Sequence, residues 1–167
     1  MTTHTAPARF PARDRSLPLP WTAIAGIGGA VLDLGVAAAY WAQFQVDPIR
    51  IPQSIAAWFI GRDAYAGGAA TALFGLLAYC ALVYAACALY RIAAGRWTVL
   101  RRRALPCGAL YGMAAYGVIF WIIAPLLTGD GGSTSPGWIG LCLATYAAAI
   151  GIPAALAARA LHARRSD

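Results

Sequence analysis

Apolar residues run through this chain in long blocks separated by short clusters of arginine and aspartate. No charged side chain occurs between Asp63 and Arg91, between Arg103 and Asp130, or between Asp130 and Arg159, intervals of 27, 26 and 28 residues. A helix rises about 1.5 Å per residue, so roughly 20 apolar residues cross a hydrocarbon core about 30 Å thick. Each interval therefore predicts one transmembrane helix. A fourth, from about Trp21 to Phe44, is interrupted only by Asp33. The spans are expected at 21–44, 64–90, 105–127 and 137–160. Hydrocarbon offers no water to pair with backbone N–H and C=O groups, and these stretches lack the alternation of barrel strands, so helix is forced on them. The predicted fold is all-α: a polytopic membrane protein whose residues 21–162 form a compact bundle of four transmembrane helices.

Composition closes off the soluble alternative. Hydrophobic residues make up 60% of the 167, and charged residues only 11%, far from a water-soluble globule. All 13 basic residues are arginine, and they are distributed unevenly. Eleven fall on one side of the proposed spans: Arg9, Arg13 and Arg15, then Arg91, Arg96 and Arg101 to Arg103, then Arg159, Arg164 and Arg165. Only Arg50 and Arg62 fall on the other. Cytoplasmic segments retain positive charge, so both termini are expected in the cytoplasm of a bacterium, with the chain in its inner membrane. The same bias accounts for the basic loop from Arg91 to Arg103, which can also meet anionic headgroups, and leaves no call for a nucleic-acid partner. Residues 1–20, with four prolines and three arginines, read as a disordered cytoplasmic tail, and residues 163–167 as a second. A cleaved signal peptide fits less well, because the first apolar stretch continues past its small residues and contains Asp33.

Most familiar site chemistry is missing. The chain has no glutamate and no lysine, and its two histidines, His4 and His162, stand near its ends. No metal or haem ligand set can form in the membrane from one carboxylate, and no phosphate loop or nucleophile motif is present, so no cofactor and no enzymatic activity are expected. Cys80, Cys87, Cys107 and Cys142 all fall within spans and form no CxxC pair. They read as small apolar packing residues.

Asp33 is the exception. An ionised aspartate at the centre of a membrane helix costs about 2.5–3.5 kcal/mol on insertion scales, so it must be compensated. Helical spacing places it on a stripe with Gly26, Gly29, Ala30, Ala37 and Tyr40, while Ile24, Ile27, Val31 and Leu34 point elsewhere. Small residues mark close helix packing in membranes, so Asp33 is expected to face the protein interior. Tyr79, Tyr116 and Tyr146 lie near the middles of the other spans, within about 4.5 Å of rise of the same depth. They are the candidate partners in a buried polar layer. Tyr116 is preferred, because it extends the stripe of Gly108 and Gly112, whose GxxxG spacing admits another helix closely, inside the bundle or between copies. Trp21, Trp41, Tyr65, Tyr90 and Trp138 read instead as an interfacial belt.

The segment 45–63, QVDPIRIPQSIAAWFIGRD, forms the second candidate site. Pro48 and Pro52 prevent continuous helix through its start. A short interfacial helix is expected after Gln53, with Ser54 as N-cap and Gly61 as its stop. Arg50, Gln53 and Arg62 are its candidate functional residues, with Asp47 and Asp63 as local charge partners. The segment serves either as a headgroup anchor or as a lid over a ligand cavity. Gly67 and Gly68 can unwind the start of the next span, and TGDGGSTSPG reads as a polar turn.

The words RIPQSIAAWFIGRDAYAGGAATALFGLL and GALYGMAAYGVIFWIIAPL resemble a group of uncharacterised four-helix inner-membrane proteins of Gram-negative bacteria and, more distantly, the YagU-type inner-membrane proteins. The resemblance covers roughly residues 30 to 127. It implies the four-helix topology, assigns no activity, and singles out Arg50, Gln53, Ser54, Gly61, Gly67, Gly68, Gly108, Tyr111, Gly112 and Pro125. Two functions are expected. One is a structural, accessory or partner-binding bundle whose partners are the bilayer and a second membrane protein or a copy of itself. The alternative is a small proton-linked transporter that uses Asp33 at mid-membrane.

Overall fold

The computed structural model describes residues 19–129 and 135–163. The expected N-terminal tail, the last residues of the C-terminal tail and most of the polar turn between the third and fourth spans lie outside the described residues. The fold is all-α, with no strand among the described residues. Helix α1 covers Leu19–Ala42, α2 Arg50–Ile60, α3 Gly68–Arg96, α4 Thr98–Arg102, α5 Ala104–Thr128, and α6 Pro136–Ala160 with its last turn continuing to Ala163. Four of them, α1, α3, α5 and α6, are long and apolar enough to cross a membrane. Their outward residues are apolar: Ile24, Leu77, Leu89 and Leu110 are exposed, and Leu126 is 80% exposed. Water would penalise a surface of this kind, whereas lipid tails solvate it. The protein is a multi-pass membrane protein.

Helix boundaries follow the special residues. α3 begins at Gly68, not at residue 64, because Gly68 sits at φ +56° and residues Gly61–Tyr65 form a separate 3-10 turn. It then runs past the expected end at Tyr90 to Arg96, since nothing in that stretch breaks a helix before Trp97 turns extended. Arg101 folds back to donate to the Ala94 carbonyl, satisfying an end of α3 that has no partner of its own. α2 starts four residues before the expected N-cap, at Arg50, with Pro52 in its first turn, where a missing N–H costs nothing. Ser54 is therefore not the N-cap: its hydroxyl donates to the Ile51 carbonyl within the helix at 2.7 Å. Asp47 accepts the Ile49 N–H at 3.1 Å instead. Gly61 ends α2 at φ +69°, the left-handed conformation open to glycine.

Helix α6 is the centre of the bundle, packing on α1, α3 and α5, while α1 also lies along α3. Glycines set the closest approaches. A Cβ on Gly112 would stand 2.3 Å from the Tyr146 carbonyl oxygen, and one on Gly151 2.0 Å from the Gly108 carbonyl oxygen. The Gly108 and Gly112 ridge thus meets α6 within the chain. Gly26 faces the Tyr84 backbone on α3 and Gly29 the Ala149 carbonyl on α6. Two wide π turns interrupt the packed helices, Ile119–Ile123 in α5 and Tyr146–Gly151 in α6. Each ends two residues before a proline, Pro125 or Pro153. Proline lacks an N–H and its ring crowds the carbonyl four residues back, so the turn before it widens to the longer bond, Ala124 N–H to Ile119 and Ile152 N–H to Ala147.

Because backbone atoms bar any side chain at Gly112 and none lie near Gly117, the same substitution has opposite signs at the two positions. Gly112→Ala is expected to lower stability by about 1–3 kcal/mol through overpacking. Gly117→Ala is expected to be neutral or to gain up to about 1 kcal/mol from helix propensity. Thermal unfolding in detergent distinguishes them; equal effects would contradict the close crossing of α5 and α6.

Candidate functional site

Helical periodicity carries one polar side chain to the middle of the bundle. On α1 the buried positions are Thr22, Gly26, Gly29, Ala30, Asp33 and Ala37, whereas Ile24, Ile27 and Val31 face outward. Leu34 is half-buried against the core. Asp33 itself is 8% exposed. On α3 the buried stripe runs through Ala72, Gly75, Tyr79, Val83, Cys87 and Tyr90, and on α6 through Cys142, Tyr146, Ala149 and Ile150. Tyr79 and Tyr146 are 0% and 1% exposed.

These three side chains form one hydrogen-bonded chain. The Tyr79 hydroxyl donates to Asp33 Oδ2 at 2.5 Å, and the Tyr79 and Tyr146 hydroxyl oxygens stand 2.5 Å apart. A phenol has a single proton. When Tyr79 gives it to Asp33, Tyr146 must donate to Tyr79, and the chain is polarised towards the carboxylate. A protonated Asp33 allows the opposite polarity, with each donor turned outward. The arrangement joins α1, α3 and α6 and satisfies the Tyr79 oxygen from both sides. Asp33 borders neither the cavity under α2 nor the groove between α1 and α6.

Tyr116 is not the hydrogen-bond partner of Asp33. It is buried, and its ring packs against Tyr146 at a centroid distance of 5.5 Å. Tight packing of the Gly108 and Gly112 ridge on α6 puts α6 between α5 and α1, so Tyr116 reaches the layer through Tyr146. Tyr90 differs from the belt reading as well. It is 1% exposed, donates to the Leu100 carbonyl at 3.1 Å and packs its ring 5.0 Å from that of Tyr111. Tyr111 in turn donates to the Ala86 carbonyl at 2.7 Å, tying α5 to α3. The four cysteines are unpaired thiols, with Cys87 and Cys142 buried in the core.

The candidate residues of the segment 45–63 separate into two roles. Gln53 is buried and structural, with its amide donating to the Gly68 carbonyl at 3.0 Å and reaching Thr71 Oγ1 at 3.4 Å. Thr71 donates to the Ala64 carbonyl at 2.6 Å, so this cluster seals α2 onto the start of α3. Gly75 completes the seam, since a Cβ there would strike the Pro52 carbonyl at 1.9 Å. Arg50 and Arg62 are exposed and line a cavity of about 900 Å³ under α2. Its walls include Trp41, Trp58, Phe120, Leu127 and Trp138. Arg50 lies over the Tyr65 ring, 5.8 Å from its centroid. The expected pairing with Asp47 and Asp63 does not form: among the described residues neither arginine makes an ion pair. Asp47 spends its carboxylate on the backbone of Ile49.

Compared with known proteins, the chain matches no family model, no curated protein and no solved structure.

Tyr79→Phe removes the central oxygen and leaves two buried groups without it, an expected loss of about 1–3 kcal/mol. In a double-mutant cycle with Asp33→Leu, the two losses are expected to overlap, with a coupling energy on the order of 1 kcal/mol. Strictly additive losses in detergent unfolding would mean that the pair does not interact.

Proposed function

We propose that this chain is a non-enzymatic bacterial inner-membrane protein, a compact four-helix scaffold with both termini in the cytoplasm and α2 at the outer interface. The observation that carries this reading is the buried Asp33, Tyr79 and Tyr146 chain, which uses the one carboxylate of the spans to hold three helices together. With Oδ2 bonded to Tyr79, the carboxyl group ties α1 to α3 and serves assembly. The uneven distribution of arginines between the segments that flank the spans in the sequence supports the orientation. The four-helix topology is also what the resemblance to Gram-negative inner-membrane proteins implies, and a scaffold of this kind serves a membrane protein partner or a second copy.

One feature favours the proton-linked transporter as a second reading. A carboxylate joined to two phenols in series can accept a proton and reverse the polarity of the whole chain, the elementary step of a proton-coupled device. The two readings differ in what a solute does. Wild type and Asp33→Asn, purified in weakly buffered detergent and exposed to a panel of organic cations, are expected to release no solute-dependent protons. Release by the wild type that Asp33→Asn abolishes would replace the scaffold with the transporter. For orientation, a reporter active only in the cytoplasm is expected to work when fused to either terminus, and a periplasmic reporter at either end to stay silent; the reverse pattern would overturn the assignment.

A further inference from the structure

The cavity under α2 combines two chemistries that seldom meet by accident. Its mouth holds two exposed guanidinium groups, Arg50 and Arg62, without an ion pair among the described residues. Its inner wall is aromatic and aliphatic. Trp58 from α2 meets Phe120 from α5 edge to face, with ring centroids 5.6 Å apart, and Leu127 and Trp138 extend the apolar surface. At about 900 Å³ it has the size of a small-molecule site.

The position of the cavity narrows the ligand. It lies where α1 ends, α5 ends and α6 begins, at one end of three membrane-crossing helices. Trp41 and Trp138, lining residues whose rings lie 5.4 Å apart, are the residue type that lodges at headgroup depth. Guanidinium presents a planar fork of donors that matches phosphate oxygens, and it loses less hydration on binding than an ammonium group does. A zwitterionic headgroup would bring a cation towards two arginines. A purely apolar ligand would leave both arginines without a counter-charge.

We propose that this cavity binds an anionic amphiphile, a phosphate-bearing lipid whose phosphate meets Arg50 and Arg62 and whose first apolar carbons lie against Trp58, Phe120 and Leu127. The site stands apart from the Asp33 chain and does not depend on the scaffold or transporter reading. Phe120 nevertheless borders both, since its ring also packs on Tyr146 at 6.1 Å.

The test is native mass spectrometry of the full chain in zwitterionic detergent, titrated with phosphatidylglycerol or phosphatidylcholine, with inorganic phosphate followed by calorimetry. The wild type is expected to retain the anionic lipid with an affinity about tenfold or more above the zwitterionic one. Arg50→Gln combined with Arg62→Gln should remove that preference, whereas Arg159→Gln, an exposed arginine at the other end of α6, should keep it. Both arginines are exposed, so unchanged thermal unfolding is expected to accompany the loss. Equal retention of the two lipids by the wild type would overturn the proposal, and so would an equal loss in the Arg159→Gln control. Inorganic phosphate binding as tightly as the lipid, with the same arginine dependence, would show a site for a soluble anion and would also overturn it.

Discussion

The hydrogen bond from Tyr79 to Asp33 is the contact on which the arrangement of the bundle turns. A carboxyl group in the middle of a hydrocarbon layer cannot be left without a partner, because no water is at hand to replace the missing bond. Meeting that demand fixes more than one side chain. Tyr79 must lie on the face of α3 that looks at α1, and Tyr146 on the face of α6 that looks at both. The rotation of three helices about their own axes is therefore coupled to one acid. Helices in lipid gain little from burying apolar surface against one another, since tails solvate leucine as well as leucine does. Polar ties and close backbone contact supply the specificity that the hydrophobic effect supplies in water.

Glycine makes that tie geometrically possible. Gly108, Gly112 and Gly151 let α5 and α6 touch backbone to backbone, and Gly29 lets α1 settle on the Ala149 carbonyl. Dispersion contacts at such distances are individually small and collectively large. The two prolines act on the same helices from within. By widening the turns before them, Pro125 and Pro153 leave helices that are not ideal cylinders, and the wide turn of α6 spans Tyr146 to Gly151, the segment facing Asp33 on one side and the α5 glycines on the other.

At the α2 end of the bundle the logic changes, because polar groups there have alternatives. Gln53, Thr71 and the Ala64 and Gly68 carbonyls form a local seal that holds α2 down on α3. With α2 fixed, Arg50 at its start and Arg62 in the turn after it line a cavity walled by α5 and α6. Side chains of the same short segment thus divide between a structural role, with Gln53 packed on the start of α3, and a charged rim, with Arg50 at the first residue of α2 and Arg62 in the turn after it. Gln53 and Arg50 are three residues apart in sequence and belong to different environments.

Much of this was legible without coordinates, and the limit is physical. Hydrocarbon imposes helix, length and the exclusion of charge on any segment that crosses it, so four charge-poor intervals specify four spans whatever packs around them. The cost of an unsolvated carboxylate likewise requires that Asp33 face inward, and the spacing of small residues marks Gly26, Gly29, Gly108 and Gly112 as close contacts. Depth is readable too, because rise per residue is constant. Neighbour order is not. Three tyrosines shared the depth of Asp33, and only the packing of α5 on α6 decided that Tyr79 and Tyr146 reach it while Tyr116 stands behind them. The cavity under α2 depends in the same way on contacts between residues far apart in the chain, from Trp41 to Trp138. Local sequence determines how long each helix is and which face is apolar; which faces meet is a property of the assembled bundle, because it is settled by close contacts among all four helices at once.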